Sequence, residues 1–179
     1  MTGGYDDRLR DNVQTKAQLE QLAKQNNLSY SDWTTEGGTR TEADVLFLTN
    51  FSSMQRTYLL RHARVLLYTP NNEHFGIVPV EAMYSKLPVI ATDDGGPRET
   101  ILEGKTGYLC EDEETFVDRT HLLLSRDDLR DRFAKAGREW VESKFALDAF
   151  TDALESILRD MVGDRKRDSS QRRKRKKDA

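Results

Sequence analysis

Residues 68–84 read Tyr-Thr-Pro-Asn-Asn-Glu-His-Phe-Gly-Ile-Val-Pro-Val-Glu-Ala-Met-Tyr. The apolar run just before and into it, Val65-Leu66-Leu67-Tyr68, has the composition of a short strand. The residues from 78 to 86 have that of a helix, with Pro79 in its first turn, where a missing N–H costs nothing. Glu73 then stands in the loop and Glu81 in the expected first helical turn, with seven residues between them. A helix N-terminus offers unpaired N–H groups and the positive end of its dipole to an anion, and here a carboxylate lies on each side of it. Donors for a diphosphate beside acceptors for hydroxyls are the parts that recognise a nucleotide sugar. A plainer account also stands on spacing alone. In a chain with 31 acidic residues, Glu73 is a solvated loop charge and Glu81 a first-turn acid facing the dipole.

Outward from this run, short apolar strands alternate with helices. Strands are expected over 45–48, 65–68, 89–91 and 107–109. Helices are expected over 7–24, 53–63, 78–86, 97–103, 113–125, 128–144 and 147–161. Residues 34–44 are polar, lack periodicity, include Gly37-Gly38 and read as an exposed loop. The fold class is therefore α/β, a parallel sheet of four strands covered by helices on both faces. In such sheets ligands bind beyond the carboxyl ends of the strands. The loops following the first three strands hold Asn50-Phe51-Ser52, residues 69–76 and Asp93-Asp94-Gly95-Gly96-Pro97, and they are expected to converge on one edge. The last helix carries Leu147, Phe150, Leu154, Leu158 and Met161 at helical spacing, a stripe expected to pack on the sheet of its own domain.

Length and composition set the outer limits. The 179 residues suffice for one domain with a sizeable core, expected over residues 1–163. Cys110 is the one cysteine, so no internal disulfide forms, which fits a reducing compartment. No apolar run approaches the roughly 20 residues that span a bilayer, and the first residues lack the charged and apolar regions of a signal peptide. Residues 164–179 hold nine Lys or Arg against three Asp, a balance of +6; the overall −3 leaves −9 on residues 1–163. That end has no apolar residue except Ala179 and is expected to be a disordered basic tail. A solvated end, a nucleic-acid patch and attraction to an anionic membrane surface are its possible roles. With no aromatic residue to stack on bases, no nucleic-acid partner is expected.

Together with Pro88-Val-Ile-Ala-Thr92, Gly95-Gly-Pro-Arg-Glu99, Leu48-Thr-Asn-Phe-Ser52 and Glu103-Gly-Lys-Thr-Gly-Tyr-Leu-Cys-Glu111, residues 68–84 closely resemble the donor-binding half of retaining GT-B glycosyltransferases. Among these they are most similar to the alpha-1,3/1,6-mannosyltransferase family of the dolichol-linked oligosaccharide pathway. The resemblance runs from about Gly3 to Met161 and is most specific at Asn72, Val78-Pro79 and Ala82-Met83-Tyr84. It implies the Rossmann-like C-terminal half of a GT-B fold, with GDP-mannose as donor substrate, a dolichol-linked acceptor and the cytosolic face of the endoplasmic reticulum as location. No cofactor and no active-site metal are implied. Glu73 would stand at the reacting sugar and accept hydrogen bonds from mannose hydroxyls. The N–H groups of Phe75, Gly76 and Ile77 would face the sugar and diphosphate, with glycine at 76 allowing close approach. Glu81 would hold the ribose, Asn50 and Phe51 would line the base, Gly95 and Gly96 would close the phosphate end, and Glu99 matches an acidic position of the family. The resemblance casts both glutamates as hydroxyl binders, with Glu81 too far from the anomeric carbon to be a nucleophile. The family's Arg–Lys pair on the diphosphate and its N-terminal, acceptor-binding half have no counterpart in these 179 residues. The expectation is that the chain alone binds donor weakly, because two charge-assisted contacts contribute about 1.5–3 kcal/mol each.

Overall fold

The computed structural model describes residues 1–33 and 42–175, with side chains described up to Val162. The chain forms two compact units, Met1–Leu59 and Leu60–Ala179, dividing the single domain expected over residues 1–163. In the first unit, β1 (Thr2–Gly3), α1 (Arg10–Gln25), β2 (Tyr30–Asp32) and β3 (Val45–Thr49) build a parallel sheet in the order β1-β3-β2. Thr2 pairs with Leu48 and Tyr30 with Val45. β3 is central because it alone is apolar along its length; Phe47 and Leu48 are buried, and the Tyr30 ring meets that of Phe47 edge-on at 6.0 Å. Most of the polar loop lies outside the described residues. At its end the Asp44 carboxylate accepts from Ser29 N–H at 2.8 Å and from the Ser29 hydroxyl at 2.6 Å, tying β3 to the start of β2.

Helix α2 (Ser53–His62) runs from the first unit into the second. There β4 (Leu66–Tyr68), β5 (Val89–Thr92) and β6 (Gly107–Cys110) form a second parallel sheet in the order β4-β5-β6. Helices α3 (Ile77–Tyr84), α4 (Pro97–Thr100), α5 (Glu113–Ser125), α6 (Asp127–Lys144) and α7 (Leu147–Arg175) belong to the same unit. The expected four-stranded sheet is thus replaced by two sheets of three strands each. β1 and β2 escaped the sequence because they span two and three residues and carry no apolar alternation.

Strand β5 organises the second unit. Val89, Ile90 and Ala91 are fully buried, and alternation sends Val89 and Ala91 to one face and Ile90 to the other. The first face packs with Met83, Ala82 and Val80 of α3 and Val141 of α6. The second packs with Tyr108, Cys110, Leu123 and Phe133. A strand covered on both faces reads as a continuous apolar run, which is why β5 was legible. α5 is capped by Asp112, whose carboxylate accepts from Thr115 N–H at 2.8 Å, and hydrogen bonding by Thr115 holds that carboxyl below its ordinary pKa.

Cys110 lies fully buried, and burial first, then the nearby Glu103 charge, push its thiol up to about 11 from 9.0. A raised pKa means the folded chain holds this proton more tightly than the unfolded chain. The stabilisation is whole below about pH 9 and drains away as pH rises through about 11. Ellman's reagent at pH 8 is therefore expected to find no reactive thiol in the native chain and one after denaturation; a prompt native reaction would mean the β6 edge opens.

The apolar stripe of α7 does not pack on its own sheet as expected. Phe150, Leu154 and Met161 are 62%, 43% and 52% exposed, and Leu147, Ile157 and Leu158 are similarly open. The stripe is open from the first turn onward, with Leu147 76% exposed, so helical spacing alone did not bring it against the sheet. Its backbone continues to Arg175, across most of the segment expected to be a disordered tail. Arg, Lys and Gln are good helix formers and extend an existing helix at little cost, although nothing apolar in residues 164–178 could hold it to a core.

Candidate functional site

The loop between β4 and α3 is locked to the loop between β5 and α4 by one backbone–backbone and one backbone–carboxylate hydrogen bond. Gly96 N–H donates to Glu73 O at 2.7 Å, and the Asp94 carboxylate accepts from Asn72 N–H at 2.7 Å. The glycines make this approach feasible. A Cβ on Gly95 would sit 2.2 Å from Glu73 O, and Gly95 has a φ of +47°; a Cβ on Gly96 would lie 2.3 Å from the Phe75 Cα and carbonyl carbon. The Gly95-Gly96 pair is thus the mould for residues 73–75. Two of the three loops expected to converge do so within this unit.

Gly76 precedes α3 with a φ of +74°, and this left-handed turn ends the loop. A Cβ there would meet Pro79 and Pro97 at 3.6 Å, ordinary contact, so the conformation rather than crowding calls for glycine. α3 begins at Ile77, one residue earlier than expected, and has no acidic residue in its first turn. Glu81 is consequently in the second turn, stacked over Ile77 on the helix surface, which corrects its expected first-turn place and weakens the plain dipole account of it. The first-turn N–H groups of Ile77 and Val78 have no carbonyl within the helix to donate to, and both residues are exposed.

Glu73 is half-buried and its carboxylate is held from two sides. Oε2 accepts from the Tyr68 hydroxyl at 3.1 Å and Oε1 from His74 N–H at 3.1 Å. Burial first, then the Glu73 hydrogen bond and charge, push the Tyr68 phenol up to about 12. Phe75 is 41% exposed and its ring meets Phe145 edge-on at 5.8 Å. Arg98, the cation nearest the glycine pair in sequence, is bound to Asp93 with Nε to Oδ1 at 2.7 Å, and its guanidinium pKa is raised by that partner. Glu99 is exposed on α4 beside it.

Asn50 and Phe51 belong to the first unit, on the turn after β3. Both ends of the Asn50 carboxamide are committed: Tyr5 N–H donates to Oδ1 at 2.8 Å, and Nδ2–H donates to Tyr5 O at 2.6 Å. Asn50 therefore acts as a strut between the turns after β1 and β3. Tyr68, Asp94 and the Asn50 strut were missed in the sequence, where Tyr68 read as the end of an apolar strand. Among the described residues, no three His, Cys, Asp or Glu side chains gather in a metal-binding arrangement.

The family model described as Glycosyl transferases group 1 matches residues 38–140. The alpha-1,3/1,6-mannosyltransferase ALG2 of Rhizomucor pusillus is 39% identical over 163 residues, covering 88% of this chain and 36% of that protein. The chain spans about a third of the length of the curated relatives it matches. Among solved structures, the C-terminal domain of a group 1 family glycosyltransferase (LpcC) from Francisella tularensis matches with a TM-score of 0.63 at 26% identity, over 78% of this chain and 66% of that one. Anabaena HepE in complex with UDP-glucose matches in fold with a TM-score of 0.67 at 19% identity, over 89% of this chain and 40% of that one. The two parallel sheets and their helices are the Rossmann-like C-terminal half of a GT-B fold, and the chain belongs to the glycosyl transferases of group 1.

Proposed function

We propose that the chain is the donor-binding part of a retaining mannosyltransferase of N-glycan precursor assembly. It would pass mannose from GDP-mannose to a dolichol-diphosphate-linked oligosaccharide in alpha-1,3 or alpha-1,6 linkage. The observation that carries this reading is the clasp of the Glu73 loop by Gly95-Gly96, in a chain 39% identical to a relative named an alpha-1,3/1,6-mannosyltransferase. In this reading the N–H groups of Phe75, Gly76 and Ile77 stabilise charge building on the leaving diphosphate, fixed in place before the reaction begins. Glu73 accepts from mannose hydroxyls and Glu81 from the ribose. Neither acts as a nucleophile, and the reading requires no metal or other cofactor. Gly95 and Gly96 contribute by shaping the loop, with Glu99 at its outer rim.

Competition between GDP-mannose and UDP-N-acetylglucosamine, followed by ligand-observed NMR on the 179-residue chain, tests the donor. Preference for GDP-mannose supports the reading. Preference for the UDP-sugar would replace the nucleotide while keeping the fold's role, and binding of neither would leave a non-catalytic module.

The same reading places the chain on the cytosolic face of the endoplasmic reticulum, with its N-terminal GT-B half in cis. No helix among the described residues is long and apolar enough to cross a membrane. The basic segment is the part suited to an anionic surface, at about 1 kcal/mol per Lys or Arg close to the lipid. Deleting residues 164–179 is expected to lower co-flotation with phosphatidylserine vesicles, and more so at low salt. Unchanged flotation would remove the tail from any membrane role.

A further inference from the structure

Tyr68 sits at the carboxyl end of β4 with 9% of its surface exposed. Its ring belongs to the core formed with Val80, Met83, Val89 and Val141, and so has little freedom. Its hydroxyl reaches past that core to the Glu73 carboxylate, at 3.1 Å from Oε2. The other oxygen is held by the N–H of the next residue, His74, at 3.1 Å. Glu73 O is held in turn by Gly96 N–H at 2.7 Å. The carboxylate is thus fixed in plane and direction by donors on two sides, on a loop that is itself fixed. A carboxylate offers about four acceptor sites, so both oxygens keep lone pairs for hydroxyls of a ligand.

We propose that Tyr68 is a positioning residue for the donor sugar: its hydroxyl sets the angle at which the Glu73 carboxylate meets the sugar hydroxyls. This rests on the reading of Glu73 as the sugar acceptor given above. Phenylalanine at 68 would fill the same core space and keep β4 in place, while leaving Oε2 free to swing. The hydroxyl therefore has a function that ring packing does not supply. A bare satisfaction of the tyrosine by a convenient surface acid would have no such consequence for a ligand.

The test compares the affinities of GDP-mannose and GDP for the wild-type chain and for Tyr68→Phe by ligand-observed NMR, which reads weak binding, with melting temperature as the control for folding. The ratio of the two affinities isolates the sugar, because GDP lacks it. The expected result is an unchanged GDP affinity and a GDP-mannose advantage reduced by about tenfold, the scale of one hydrogen bond to a charged group. Glu73→Gln in the wild-type background is expected to reduce the same advantage at least as far. An advantage that survives Tyr68→Phe while Glu73→Gln removes it would overturn the proposal and leave the donor reading intact. Equal loss of both affinities in Tyr68→Phe would also overturn it, as a purely structural role. A wild-type chain that binds neither nucleotide removes the donor reading, and this role with it.

Discussion

Alanine at Gly96 is expected to break the clasp and with it any donor binding. Gly96 itself has an ordinary right-handed helical conformation, with φ of −57° and ψ of −37°, so the substitution carries no dihedral penalty. The penalty is steric. Its Cβ would lie 2.3 Å from two Phe75 backbone atoms and 2.4 Å from the Phe75 oxygen, where no flexible side chain can give way. The two loops must separate, and the Gly96 N–H bond to Glu73 O, now 2.7 Å, is lost as they do. Overpacking of this kind costs about 1–3 kcal/mol, and a chain of this size loses about 2–4 °C in Tm per kcal/mol. The functional loss should be larger than the stability loss, because residues 73–77 are the displaced segment. Gly4 provides the control: nothing lies within 4 Å of a Cβ placed there, so Gly4→Ala should melt like the wild type. A Gly96→Ala chain with unaltered Tm and unaltered donor affinity would show that the loops are not held against each other.

The largest stability effect is expected at β5. Ile90 is fully buried between the sheet and the packing formed by Tyr108, Leu123 and Phe133. Truncation to alanine removes three carbons from a site whose neighbours belong to a strand and two long helices and cannot collapse far. Such changes cost about 2–5 kcal/mol. Urea unfolding followed by tryptophan fluorescence in a Trp33→Phe background, which leaves Trp140, whose indole N–H donates to Thr100 O at 3.0 Å within the same unit, would report it. The midpoint should fall with an unchanged m value. A loss below about 0.5 kcal/mol, typical of surface sites, would contradict the doubly covered strand on which the position of both site loops depends.

The particular residues explain what the sequence could carry. β4, β5 and β6 were legible because each is an apolar run bounded by turn residues, and β5 most of all because both of its faces are buried. β1 and β2 were not, since their pairing with β3 is settled by tertiary contact and their two or three residues have no pattern of their own. The glycine pair was legible as a loop signal, but its purpose emerged only when Glu73 O and the Phe75 backbone were found against it. The spacing puts Glu81 one residue too close to the helix end, and so in the first turn, because the left-handed Gly76 starts α3 at Ile77. Tyr68 shows the limit of hydropathy most clearly. A tyrosine ending an apolar strand looks like core, and its ring is core, yet its hydroxyl donates to the Glu73 carboxylate. The α7 stripe was visible as periodicity, while its exposure could not be read from spacing.

The central claim is that the Glu73 loop and the glycine pair receive a sugar nucleotide. Titrating GDP-mannose into the 15N-labelled chain and following its amide signals tests this most directly. The expected result is that the amides of Phe75, Gly76, Ile77, Gly95 and Gly96 shift together along one saturable curve. Glu73→Gln should weaken that curve without scattering the spectrum. If those amides stay still at millimolar GDP-mannose, or if saturable shifts appear only elsewhere in the chain, the donor site is not where this fold assembles it.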